Sequence, residues 1–186
     1  MAANKLVSNG QGLETARLGR DIGLSRPVYQ EALTDGTVEA FLRGLIPQTL
    51  ITRHVRVNRK QTPEQAINAT GRVRGYIDEQ VLAEMPTEGR EDDNVVVFEL
   101  DYDPTPDELD REYETHGLRP DPLALVQLMT DDPAFADDQL IAVQWRDSEG
   151  HACYAIFGRW LGGREVYVGR YDFGWDRGFR FAGVRK

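Results

Sequence analysis

QLIAVQWRDSEGHACYAIFGRWLGGREVYVGRYDFGWDRGFRFAGVRK, residues 139–186, decides how the rest of the chain is read. Four runs in it, QLIAVQW, HACYAIFGRW, REVYVGRYD and FRFAGV, are rich in β-branched and aromatic residues, and DSEG, LGG and the glycine-containing FGWDRG separate them. Glycine and polar clusters at that spacing mark tight connections between strands, so the stretch predicts an antiparallel meander. Ten of the seventeen aromatic residues fall here, which makes it the expected sheet core.

Two earlier segments are expected to join that sheet. ITRHVRV, residues 51–57, alternates: Ile51, Val55 and Val57 share one side, His54 and Arg56 the other. In VVVFELDYD, residues 95–103, alternation puts Val96, Phe98, Leu100 and Tyr102 on one face and Glu99, Asp101 and Asp103 on the opposite one. Between the strands lie short helices with signed beginnings. Thr62 caps TPEQAINAT, with Pro63 in the first helical position and Gln65 completing a reciprocal capping box. Thr105 and Pro106 repeat that logic in TPDELDREYETHG, and Asp107 and Glu108 fall where a helix dipole favours acids. Asp121 before Pro122 and Asp132 before Pro133 give two further predicted starts. YIDEQVLAEM reads as a helix stopped by Pro86, and residues 86–93 as a flexible acid-rich turn. The fold class is therefore α+β: residues 51–186 form a domain of sheet and short capped helices, and residues 1–50 a helical N-terminal arm.

Composition narrows the function. Net charge is −9 in 186 residues, and it is segregated: +4 over residues 1–60, −16 over 61–140 and +3 over 141–186. Either the chain's own parts dock by charge or a polarised surface selects partners by sign. No apolar run approaches the ~18 residues of a membrane span, and the N-terminus lacks the charged-then-apolar order of a secretory signal, so a cytoplasmic location is expected. The single cysteine, Cys153, cannot close an internal disulfide. No P-loop, dinucleotide fingerprint or G-x-S-x-G occurs, so no cofactor is assigned and no residue is named as catalytic.

Three constellations carry chemistry. The first is Glu99, Asp101 and Asp103, a candidate Mg²⁺ or Ca²⁺ site. Asp101-Tyr102-Asp103-Pro104-Thr105 after VVVF resembles the first motif of haloacid-dehalogenase-like phosphatases, a resemblance that implies a nucleophilic Asp, a second Asp as general acid and Mg²⁺. That motif belongs on a parallel strand, whereas an antiparallel meander is predicted here. A calcium-loop reading fails because Pro106 stands where the loop needs glycine. The second constellation is His151 and Cys153, two apart on a predicted strand and so on one face, with no helix N-terminus beside the thiol to activate it. The third concerns nucleic acid. ARLGRDIGLSRPVYQEAL has helix-turn-helix order, which would place Arg20, Ser25 and Arg26 against a duplex. GRYDFGWDRGFRFAGVRK interleaves Arg170, Arg177, Arg180 and Arg185 with aromatics, as in a single-strand stacking platform.

TPEQAINATGR, DPAFADD and the C-terminal run from Trp160 to Lys186 together resemble a group of uncharacterised bacterial proteins, from about Arg53 onward. The resemblance implies a bacterial or bacteriophage origin and no site. The expectation is a non-catalytic protein-interaction module of the bacterial cytoplasm with opposed acidic and basic surfaces and an unidentified protein partner. Nucleic-acid binding through residues 14–33 is the first alternative, and a metal-assisted hydrolase using Asp101 and Asp103 the second.

Overall fold

Helices begin at three of the four places where a cap precedes a proline. In a computed structural model that describes Ser25, Pro27, Val28, Glu31 and residues 50–171 and 174–186, Thr62 opens α1 (Pro63–Ala69) and Thr105 opens α3 (Pro106–Thr115), each with a complete capping box. Asp121 opens α4 (Pro122–Asp131) by accepting the Ala124 N–H at 3.1 Å. Asp132 is the exception. It closes α4 rather than opening another helix, and residues 133–138 are turns and bends, because an Asp-Pro pair serves a turn as readily as a helix start. The elements belong to the second of two units into which the chain divides, Gln48–Lys186. The N-terminal arm, apart from Ser25, Pro27, Val28, Glu31 and Leu50, lies outside the described residues.

The fold is α+β. Its strands are β1 (Ile51–Arg56), β2 (Val73–Ile77), β3 (Asp92–Glu99), β4 (Leu118–Arg119), β5 (Ile141–Arg146), β6 (Ala152–Trp160), β7 (Gly163–Arg170) and β8 (Arg180–Arg185), and α2 (Glu79–Ala83) follows β2. They form one eight-stranded sheet in the order β1-β3-β8-β5-β6-β7-β2, with β4 paired to β8. β5, β6 and β7 are the antiparallel meander read from the sequence. β8 departs from it: the chain returns across the sheet and lays β8 parallel to β5 and antiparallel to β3. The anchor of that crossing is Trp175, buried, whose indole N–H donates to Gln144 Oε1 at 2.8 Å and whose backbone N–H donates to Pro104 O at 2.7 Å. β2 is an addition, parallel to β7 at the sheet's edge, where the sequence reads a helix from Tyr76. Asp78 caps the shorter α2 instead.

Burial explains the layers. Val95 and Val97 of β3 face α4, whereas Val96 and Phe98 face α3, and all four are buried. A central strand covered on both faces needs a continuous apolar run, not alternation. Helices α1, α2 and α4 cover one face, packing Ile67, Leu82 and Leu125 against Val143, Phe157 and Val168. On the other, Leu109 and Tyr113 of α3 and Trp175 pack on Val96, Phe98 and Phe181. The acid-rich turn is tied down from both sides. Arg59 donates to the carbonyls of Thr87, Glu88 and Arg90, and its two terminal nitrogens grip Asp121 at 2.8 and 2.7 Å. Gly89 has φ +151°, and a β-carbon there would stand 2.6 Å from Arg59 Nη2, so only glycine lets the turn close over the ion pair.

Candidate interaction surface

The three acids expected on one strand face do not share it. β3 ends at Glu99, and Asp101 and Asp103 follow in irregular chain because the apolar run that sustains the strand has ended. Glu99 accepts from Arg180 Nε at 2.5 Å across the β3–β8 pair. Asp103 accepts from the backbone N–H of Arg177 at 2.9 Å and from its guanidinium at 3.0 and 3.1 Å. The Arg177 guanidinium and backbone bonds hold the Asp103 carboxyl below the usual carboxylate range. Among the described residues no three His, Cys, Asp or Glu side chains gather as metal ligands. Both sheet neighbours of β3 run antiparallel to it, so DYDPT lies outside the parallel-strand setting of the phosphatase motif.

Of the nucleic-acid candidates, Ser25 is exposed just ahead of helical Pro27 and Val28, while Arg20 and Arg26 lie outside the described residues. The arginines of the C-terminal run are engaged. Arg170 donates to Asp147 at 3.1 Å, Arg177 to Asp103, Arg180 to Glu99, and Arg185 to the His116 carbonyl at 2.9 Å. Arg146 binds Asp107 and Asp110 at 2.6 and 2.7 Å, Arg164 binds Asp137 at 2.8 Å, and Lys186 meets Glu114. The acidic middle of the chain thus docks on its basic end, which is the first of the two explanations of charge segregation.

His151 and Cys153 meet the same carboxylate. β6 starts at Ala152, leaving His151 exposed in the hairpin with Nδ1 3.3 Å from Asp147 Oδ2; the buried Cys153 thiol stands 3.9 Å from that oxygen. Burial, followed by the Asp147 charge, pushes the thiol up to about 11, the opposite of what a nucleophile needs. His116 caps the C-terminal end of α3, its ring 4.7 Å from that of Phe98. Burial lowers its pKa. A hollow of 220 Å³ between β1, α1 and α4 is lined by Arg56, Asn58, Gln61 and Gln127 over apolar residues and holds no acid–base pair.

What remains is the half of the α3 face that α3 does not cover. Tyr154 and Ile156 of β6 pair with Gly169 and Tyr167 of β7, and Tyr167 pairs with Tyr76 of β2, so register aligns these side chains on one face. Coverage thins toward the edge: Tyr154, Ile156, Trp160 and Tyr167 are half-buried, while Tyr76 is 55% and Val73 62% exposed. Three strand glycines seat the rings. A β-carbon at Gly75 would run into the Tyr167 ring, and one at Gly158 into Trp160 and Leu140. One at Gly169 would stand 3.0 Å from the Tyr154 hydroxyl and 3.1 Å from the Tyr76 ring. Without β-carbons, neighbouring rings settle on the backbone and cover it. Trp160 and Tyr167 centroids are 4.8 Å apart, Tyr154 and Tyr171 5.6 Å, and Tyr171 stacks on Trp175 at 4.5 Å. An aromatic floor therefore runs from the buried Trp175 outward to Tyr76. Its charged member is Glu165, which accepts the Tyr167 hydroxyl at 2.7 Å.

The strand pattern G-x-W at 158–160, Y-x-G at 167–169 and G-Y at 75–76 was the available signal for this floor. The chain matches no known family, no curated protein and no solved structure. No described helix is long and apolar enough to cross a membrane.

Proposed function

We propose that the protein is a non-catalytic interaction module of the bacterial cytoplasm that binds a protein partner through the aromatic half-face of β6, β7 and β2. The observation that carries this reading is the floor itself: half-buried Trp160 and Tyr167 and exposed Tyr76 lie on strands where Gly75, Gly158 and Gly169 leave room for the rings. Tyrosine and tryptophan dominate binding energy at protein interfaces because they present large rigid areas with a polar tip. A protein is favoured over a single-stranded nucleic acid by the charges. Stacking platforms need free cations that follow the phosphates. Here the floor carries Glu165, and the arginines of the C-terminal run are bonded to carboxylates and to a backbone carbonyl.

The test is affinity capture from the source cell with the full chain and with Val73→Lys/Tyr76→Lys, both positions being exposed enough for the fold to persist. A discrete protein retained by the first and lost with the second supports the reading. Equal retention by both, or retention of nucleic acid alone, contradicts it.

A further inference from the structure

We infer that β2 takes an extended segment of the partner protein as an additional strand, with apolar residues alternating with lysine or arginine. This rests on the reading above and names how the partner is held. Among the described residues β2 pairs only with β7, so its outer edge carries backbone groups without a strand to meet them. The opposite edge, β1, presents exposed Arg53, His54 and Arg56, the charges by which proteins keep an edge from pairing. β2 is guarded more lightly, by a single exposed charge, Arg74, and a shift of register against β7 between Arg74 and Tyr76. Val73 and Tyr76 stand exposed on the aromatic side, and the charge of Arg74 is already matched by Glu79 at 2.7 Å and Glu64 at 3.8 Å.

Register dictates what an added strand meets. Val73 pairs with Glu165 and Tyr76 with Tyr167 on the aromatic face, whereas Arg74 pairs with Val166 on the helical one. One set of the incoming side chains therefore lies against Val73 and Tyr76. The other set faces Arg74 with its two carboxylates, a group with one excess negative charge, and is favoured when basic. A second copy of this chain fits poorly, because β2 against β2 brings the Glu64 and Glu79 pair toward its own duplicate. Main-chain bonds supply affinity in strand addition, and alternate side chains supply specificity.

The probe is an end-blocked nonapeptide of alternating valine and lysine, added to the full-length protein and followed by amide hydrogen exchange and fluorescence anisotropy. Slowed exchange within Val73–Ile77 is expected. Binding should be at least ~10-fold tighter than that of the valine–glutamate counterpart or of the same peptide N-methylated at alternate residues, and should weaken ~10-fold or more in Val73→Lys/Tyr76→Lys. Absence of β2 protection, or equal binding of the N-methylated peptide, overturns strand addition. If the peptide fails while the double variant still loses the captured protein, the edge inference falls and the aromatic-face reading stands; if capture is also unchanged, both fall. Sedimentation showing self-association that Val73→Lys abolishes would make a second copy the occupant and overturn the inference.

Discussion

The phenol ring of Tyr167 rests over the backbone of Gly75, on the neighbouring strand, so closely that a β-carbon at 75 would run into ring atoms. This relationship sets the height of the aromatic floor at its exposed end. Gly75→Ala lifts the ring toward solvent, and because the colliding atoms are the tip of a half-buried side chain the cost to folding stays below ~1 kcal/mol. Partner binding should drop ~10-fold or more, as for loss of an interface anchor. Thermal unfolding and capture measured side by side check the pair of outcomes; a large stability loss with binding intact would contradict it.

The Arg59–Asp121 pair holds the fold where α4 begins. Asp121 Oδ1 and Oδ2 take both Arg59 bonds, Arg119 adds a third at 3.2 Å, and the Asp121 side chain is 1% exposed. Removing one member of a buried pair strands the other's charge, and here it also removes the cap. Asp121→Ala should cost about 3–5 kcal/mol in urea unfolding. Asp121→Asn, which still caps, should cost clearly less.

Asp147 organises the β5–β6 hairpin and sets an acid limit. Burial alone would raise its pKa, but bonds from the His151 N–H, the Arg170 guanidinium and the Glu149 N–H, with the His151 charge, bring it down to about 2. A carboxyl lowered by folding stabilises the native state fully above its unfolded value near ~3.9, and that contribution fades as pH falls toward the folded value. Stability should therefore decline between pH 4 and about 2 more steeply in the wild type than in Asp147→Asn. Denaturant titrations across that window read the difference, and parallel curves would contradict it.

Local chemistry was legible in the sequence, and long-range placement was not. Thr62, Thr105 and Asp121 cap helices as their neighbours dictate, and ITRHVRV is a strand, because these choices are settled within a few residues. The place of β8 is not legible locally because it depends on Trp175 reaching Gln144, thirty-one residues away in sequence. β2 is not legible because VRGYI has no alternating apolar face of its own and pairs with β7 some ninety residues later. Arg72 is equally illegible: it is buried, donating to Gly158 O at 3.0 Å and Pro133 O at 2.8 Å over the Phe157 ring, and among the described residues no carboxylate bonds to it. The aromatic richness of the C-terminal half could be counted, but which rings face solvent depends on where α3 stops.

Cys153 should be inert in the folded protein. With its thiol pushed up to about 11, the thiolate fraction at pH 8 alone slows alkylation at least ~100-fold relative to the unfolded chain. Labelling with iodoacetamide, with and without urea, checks this; equal rates would contradict it.

The most direct test of the aromatic face as the binding surface is photo-crosslinking in the source cell from p-benzoylphenylalanine at position 76, compared with position 54 on β1 at the sheet's opposite edge. A discrete protein adduct from 76 and none from 54 is the predicted result. An adduct from 54 alone, or nucleic acid in place of protein at 76, would contradict the account.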